Sequence, residues 1–284
     1  MTANCFILGG QKCGSTWLAS RLNQHPEVFV APHEIHFFDK PYNYTKGFEW
    51  YETHFNQTGD AKIIAEKTPE YLWAGGGLGG DDVHAHEPRV HELIRTFRSD
   101  AKFVVVLRDP VERVESAINH FLSYGYFWPW VSNKSIIHGS HSNRSREFGL
   151  LEKGDYFSQL SAYFRVFPRE QFIVFEFQRD IVEAPEKALD RLCSFLKISS
   201  YDGFVDLDKP ENGVVHSLPG MIATCLFPNR QRIAYRLNRY FPSNRRRLDS
   251  ESIHWLKRFY FEKNELLFNL IGERFDWNDT DDSQ

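Results

Sequence analysis

The chain predicts an α/β fold: a P-loop-like parallel β-sheet flanked by helices on both faces. Three observations carry that prediction. Apolar runs of strand length recur along the chain, and Lys102 to Leu107 is continuous in the way of a strand buried within a parallel sheet. These runs alternate with segments of helical periodicity. The first of them leads into the glycine-bearing turn Gly10-Gln11-Lys12-Cys13-Gly14 and then into a helical segment, the layout of an anion cradle. At 284 residues the chain is long enough for a well-buried core, and we read it as a single domain over 1–284 with 276–284 as a frayed tail.

Ile7 to Gly9 ends the first strand, Ser15 to Gln24 is its helix, and His25-Pro26 stops that helix. A short strand is expected over Glu27 to Ala31, and another over Lys62 to Lys67, ending at Thr68-Pro69. The glycines from 75 to 80 are too dense for regular structure, and His84 to Arg98 is expected to be helical. After the strand Lys102 to Leu107, Asp109 suits an N-cap, Pro110 the first helical position and Glu112 the third, so a helix runs on through Val114, Ile118 and Leu122. The segment from Phe121 to Asn143, rich in Tyr, Trp, Ser and His, reads as a long loop suited to acceptor selection. Tyr156 to Phe167 is helical, Phe172 to Phe177 a buried strand, Pro185 to Leu196 an amphipathic helix, and Ser250 to Ile271 a long terminal helix.

Composition narrows the function classes. A net charge of −4 predicts no general attraction to nucleic acid or to an anionic membrane. No apolar run approaches the length of a membrane span. Four cysteines, Cys5, Cys13, Cys193 and Cys225, form no CxxC pair, and no signal-like segment precedes the first strand, so a reducing cytoplasm is the expected location. Arginines crowd the stretch from Asn229 to Arg247; a solvated basic helix face is the plainer reading, with binding of a sulfated, phosphorylated or carboxylated ligand as the alternative.

The loop is informative in its departure from the nucleotide triphosphate pattern. Gly9 to Gly14 has the right spacing, but Ser15 stands where the lysine of that pattern belongs. The lysine is instead Lys12, inside the loop, from where it can reach the bridging oxygen of a bound anion. This argues against ATP or GTP hydrolysis, while a P-loop kinase or NTPase and a non-catalytic nucleotide-binding module stay open as rivals. A helix cap at Ser15 beside a solvated Lys12 is the plain structural alternative.

These segments together resemble the sulfotransferases that use 3′-phosphoadenosine 5′-phosphosulfate (PAPS), in particular the heparan sulfate 3-O-sulfotransferase branch. Gly10 to Thr16 looks like the family's 5′-phosphosulfate loop, and Arg108-Asp109-Pro110-Val111-Glu112-Arg113 with Ser116 like its 3′-phosphate motif. Glu34-Ile35-His36-Phe37-Phe38-Asp39 and Glu66-Lys67-Thr68-Pro69 are similar to the two segments that line that branch's active site. Phe259-Tyr260, Asn264, Leu267 and Phe275-Asp276-Trp277 resemble its terminal helix and closing segment.

The resemblance implies the sulfotransferase fold, PAPS as donor, its desulfated bisphosphate as product and no metal. It also implies sulfuryl transfer to a hydroxyl or amine of a small-molecule or saccharide acceptor. Donor binding falls to Lys12, Cys13, Gly14, Ser15, Thr16, Trp17, Arg108 and Ser116. Lys12 would meet the leaving oxygen, Arg108 would offer a planar fork to the second phosphate, and Glu34 would be the base. His36, Asp39 and Lys67 would orient the base or steady the sulfuryl group. The plain alternatives are an Arg108–Glu112 salt bridge, an exposed Glu34 without a catalytic role, and a metal site built on Glu34, His36 and Asp39, for which one histidine is few. The branch's membrane anchor and its disulfide in the donor-covering loop are missing here, and Asn212 to Ser217 lacks that loop's basic Gly-Lys pattern. A cytoplasmic enzyme that tailors a small metabolite, with neither membrane nor nucleic acid as partner, is the expectation.

Overall fold

The computed structural model describes residues 2–73, 90–139, 144–209, 216–228 and 231–278. The glycine-rich 75–80 segment, the first half of the helix expected from His84, most of the 212–217 loop and the tail beyond 278 lie outside the described residues. The chain divides into two compact units, Met1–Gly77 with Asp81–Arg108 and Tyr156–Glu211, and Leu78–Gly80 with Asp109–Asp155 and Asn212–Gln284.

The first unit holds a parallel five-stranded sheet in the order β2-β3-β1-β4-β5. Its strands are β1 (Cys5–Gly9), β2 (Val28–Val30), β3 (Ile63–Lys67), β4 (Lys102–Leu107) and β5 (Phe172–Glu176). Helices including α1 (Ser15–Leu22), Val90–Phe97, Tyr156–Phe164 and Pro185–Leu196 flank it. β1 is central, with Cys5 opposite Ala65 of β3 on one side and Lys102 of β4 on the other. All five residues of β1 and the last five of β4 are buried, as a sheet covered on both faces requires. Aromatic rings tie neighbouring strands: Phe103 of β4 stacks on Phe172 of β5 at 4.6 Å and on Phe6 of β1 at 5.8 Å.

Strand order decides where a ligand can go. The chain moves from β1 out to β2 and β3, then crosses to β4 and β5, so the order reverses at β1. In a parallel sheet such a reversal opens a crevice at the carboxyl ends of the strands. Gly10–Gly14, Glu34, Lys67 and Arg108 all follow the carboxyl ends of strands or stand at them.

The second unit is helical. Pro110–Ser123, Asn133–Ile137, Leu218–Leu226 and Ser250–Ile271 surround a core that includes Val114, Ile118, Phe121, Ile136, Leu256 and Tyr260. Asp109 caps the first of these helices as predicted, accepting from the Val111 amide at 2.7 Å, and Asp249 caps the last through Ser252 at 2.8 Å. Among the described residues, no helix is long and apolar enough to cross a membrane.

Three expectations need correction. The 121–143 segment is not all loop: the helix continues to Ser123, and Ser132 caps a further helix at Asn133–Ile137, whose Ile136 and Ile137 are buried. In the arginine stretch, Arg232, Arg236, Arg239, Arg245 and Arg247 are exposed as expected, but the described helix covers only Gln231–Leu237, and Arg246 is the exception, donating to the carbonyls of Pro129 and Val131 as an internal strut. Residues 276–278 are packed rather than frayed, because Trp277 is buried against Phe268 and Phe275, and Asn278 donates to Glu265 at 2.6 Å.

Candidate active site

The loop after β1 is shaped by two left-handed residues, Lys12 at φ 74° and Gly14 at φ 89°. They turn the chain so that α1 starts at Ser15 with no side-chain cap. The first-turn amides of Ser15, Thr16 and Trp17 have no carbonyl four residues back within the helix, so they leave a site of positive potential. Gly14 has to be glycine twice over: its φ disfavours any side chain, and a Cβ there would lie 2.7 Å from the Phe177 ring. Gly10 is equally confined, since a Cβ would meet Cys13 Sγ at 2.7 Å and the Tyr156 ring at 2.9 Å. The loop is therefore built against fixed walls.

Tyr156 ties that wall to the end of β4. Its hydroxyl donates to the Arg108 carbonyl at 3.0 Å and lies 3.4 Å from Cys13 Sγ. The Arg108 guanidinium stacks over Phe177 at 4.8 Å and reaches the Lys12 carbonyl at 3.5 Å. Arg108 thus lies beside the loop. Ser116 is half-buried on the Pro110–Ser123 helix of the second unit. Trp17 is buried in the first turn of α1, with the Arg21 guanidinium 5.5 Å from its ring.

Four of the five residues predicted for catalysis, Glu34, His36, Asp39 and Lys67, form one connected chain. Lys67 Nζ, at the end of β3, donates to Glu34 Oε1 at 2.6 Å and to Thr16 Oγ1 at 3.4 Å, so it links the carboxylate to the loop helix. Glu34 Oε2 faces His36 Nε2 at 3.4 Å, and His36 Nδ1 meets Asp39 Oδ2 at 2.9 Å. Lys40 adds its ammonium 3.6 Å from the same Asp39 oxygen. His36 adopts φ 53°, an unusual conformation for a residue with a side chain, and it sets the ring between the two carboxylates.

The charges in this chain reinforce one another. Burial works to raise the Glu34 carboxyl, but hydrogen bonds from His36 and Lys67, with their charges, outweigh it and hold Glu34 below its ordinary value. His36 is pushed up to about 9 by its hydrogen bonds to Asp39 and then Glu34, against the opposing effect of burial. The site at neutral pH is thus an ionised carboxylate between two cations. Both imidazole nitrogens face carboxylates, the arrangement of an imidazolium rather than of a metal ligand.

Sequence reasoning missed the layer beneath. Glu66, wholly buried, accepts from Tyr51 at 2.5 Å, Tyr71 at 2.7 Å and Thr68 at 2.9 Å, and burial pushes it up to about 7 despite those bonds. The signal was available, since Glu66 interrupts an otherwise apolar strand run, Ile63-Ile64-Ala65. Its tyrosine partners carry no such mark. Tyr156 and Phe177 likewise reach the loop only through the fold.

Residues 3–210 match the family model of the sulfotransferase domain. The chain belongs to that family; it is a sulfotransferase. Over 283 residues the sulfotransferase is 26% identical to heparan sulfate glucosamine 3-O-sulfotransferase 5 of Homo sapiens, spanning 95% of this chain and 72% of that one. It is 27% identical over 283 residues to heparan sulfate glucosamine 3-O-sulfotransferase 3B1 of Homo sapiens, with 96% and 64% covered. Among solved structures, a sulfotransferase from Alicyclobacillus acidocaldarius superposes with a TM-score of 0.69 at 21% identity, covering 98% of this chain and all of that one (100%). The sulfotransferase domain from the curacin biosynthetic pathway gives 0.51 at 14% identity, covering 92% and 97%. Both structures share the sulfotransferase's fold, and the enzyme transfers a sulfuryl group.

Proposed function

We propose that the donor is PAPS and that Glu34 is the base that takes the acceptor's proton. When bound, PAPS supplies an activated sulfuryl group on the bridging oxygen of a 5′-phosphate. The loop fits such a group, because the αL turn at Gly14 starts α1 with no side-chain cap, so the amides of Ser15, Thr16 and Trp17 are open to an anion. Lys12 neutralises charge on the leaving oxygen. Arg108 holds the second phosphate, the feature that separates this donor from ATP. The assignment of Ser116 to that phosphate rests on the sequence motif. The 1–284 chain acts in this reading as one sulfotransferase domain.

The observation that carries the reading is the hydrogen-bonded line from Thr16 through Lys67 to Glu34, His36 and Asp39, which joins the anion cradle to a carboxylate. Glu34, ionised by its cationic neighbours, accepts the proton of a hydroxyl or amine as it attacks. Lys67 lies between that base and the loop and steadies the transferring group. Asp39 keeps His36 protonated, and His36 holds the second Glu34 oxygen. We assign the acceptor to small molecules or saccharides bearing a hydroxyl or amine. A reducing cytoplasm agrees with the free thiols of Cys5, Cys13, Cys193 and Cys225.

The test is direct. Adenosine 3′,5′-bisphosphate at about 100 times its dissociation constant stabilises the protein by about 2.7 kcal/mol, and ATP at the same concentration by much less. In a transfer assay with labelled PAPS and an acceptor panel, Glu34→Gln and Lys12→Met both lose product. Stabilisation by ATP alone, or full turnover in both variants, overturns the reading.

A further inference from the structure

We propose that Glu66 and Tyr71 are positioning residues: a buried carboxylate–phenol pair on the β3 side that holds the 34–39 loop by its backbone and so sets the Glu34–Lys67 geometry. The inference rests on Glu34 as the base.

The two halves of the Glu34–Lys67 pair come from segments 33 residues apart. Something must fix one against the other to hold a 2.6 Å contact. Lys67 is the last residue of β3, and Glu66 precedes it. Successive strand residues face opposite ways, so Lys67 points to the site while Glu66 points into the core. There Glu66 accepts from the Tyr71 hydroxyl at 2.7 Å. The same hydroxyl accepts from the Phe37 amide at 2.7 Å and from the Phe38 amide at 3.2 Å. One phenol oxygen thus spans the gap, donating to β3 and receiving two amides of the loop.

Those two amides lie between His36 and Asp39. They follow at once the residue held at φ 53°, so they are well placed to keep that unusual backbone from relaxing. Asn43 adds a second hold from the other side, donating to the carbonyls of Ile35 and His36 at 3.1 and 3.2 Å. Packing locks Tyr71 itself: it is wholly buried, its ring lies 5.6 Å from Phe38, and its own carbonyl accepts from Tyr163 at 2.6 Å. Tyr51 and Thr68 complete the acceptor needs of Glu66 without touching the loop amides through any bond to their hydroxyls. Glu66 therefore aims Tyr71, and Tyr71 aims the loop.

The geometry predicts a particular defect. Tyr71→Phe keeps the ring and its packing but strands the amides of Phe37 and Phe38, so the loop shifts and the contacts of Glu34 with Lys67 and His36 lengthen. Glu34 is faced by His36 from its own loop and by Lys67 from β3, and these are the groups that keep it ionised. Losing them leaves burial to act alone, and its pKa rises.

The experiment measures steady-state sulfuryl transfer from PAPS across pH for wild type, Tyr71→Phe, Glu66→Gln, Glu34→Gln and Tyr260→Phe. Tyr260 is an equally buried phenol whose hydroxyl donates to the Leu151 carbonyl at 2.7 Å in the second unit, so it controls for general destabilisation. We expect kcat in Tyr71→Phe to fall about 10- to 100-fold, the scale of a misplacement near an ångström, with the donor KM unchanged. Its acid limb moves to higher pH. Glu66→Gln, which preserves shape, shows the same changes at smaller size and serves where Tyr71→Phe does not fold. Tyr260→Phe leaves the acid limb in place. A wild-type kcat and acid limb in folded Tyr71→Phe, beside an inactive Glu34→Gln, overturns the positioning role alone. An equal shift of the limb in Tyr260→Phe also overturns it. An active Glu34→Gln overturns the base on which it rests.

Discussion

Two carboxylates in the first unit meet opposite fates. Glu34 is about a third exposed and sits against Lys67 and His36; Glu66 is wholly buried and, among the described residues, accepts from three hydroxyls. Three hydrogen bonds do not make up for the lost water at Glu66, which rises to about 7, whereas cationic neighbours carry Glu34 below its ordinary value. The difference teaches that burial alone does not decide ionisation. What decides it is whether the donors carry charge. One side of β3 therefore serves a site held ionised, and the other a buried carboxyl pushed up to about 7.

The largest effect that could break this contrast is on Glu34 itself. Glu34→Gln should cut transfer by about 10² to 10⁴-fold, the usual worth of a positioned base, in a labelled-donor assay. Lys67→Met comes next, with a loss of about 100-fold, and it also moves the acid limb to higher pH, because the carboxylate loses a cation that keeps it ionised. An unmoved limb would mean that Lys67 does not set the state of Glu34.

For Glu66 the readout is stability against pH. Its folded value of about 7 lies above its ordinary 4.5, so the folded protein holds a proton that the unfolded chain releases. Its contribution is whole below pH 4.5 and is lost as pH rises through 7. Glu34, shifted downward, does the reverse: its contribution is whole above its ordinary value and is lost as pH falls through the folded one. Denaturant melts of Glu66→Gln against wild type should flatten the decline between pH 4.5 and 7, and a parallel pair of curves would refute it. The smallest effect belongs to Tyr51→Phe, which removes one donor from Glu66 at a cost of about 1 kcal/mol and extends that decline above neutrality.

Much of the fold could be read from residues whose signals are local. Asp109-Pro110 announced a helix start through cap chemistry, and the apolar run at 102–107 announced a strand through burial on both faces. The candidate residues Lys12, Glu34, His36, Asp39, Lys67 and Arg108 follow or end strands; Lys12 stood out by its displaced place in the loop, and the others by the resemblance of their segments to the family's motifs. The tyrosines were not so marked. Tyr51, Tyr71 and Tyr156 earn their roles from partners up to 143 residues away, and an aromatic residue in an aromatic-rich chain looks like core. The arginine stretch is solvated as read, except that Arg246 spends its charge on the carbonyls of Pro129 and Val131, which no local signal marks.

The left-handed backbone of Lys12, at φ 74°, sets stability and activity against each other at a single position. Glycine adopts that conformation without the steric penalty a side chain carries, so Lys12→Gly should relieve local strain while deleting the ammonium that we propose meets the leaving oxygen. A screen of this enzyme for heat tolerance alone would therefore favour a substitution that silences it.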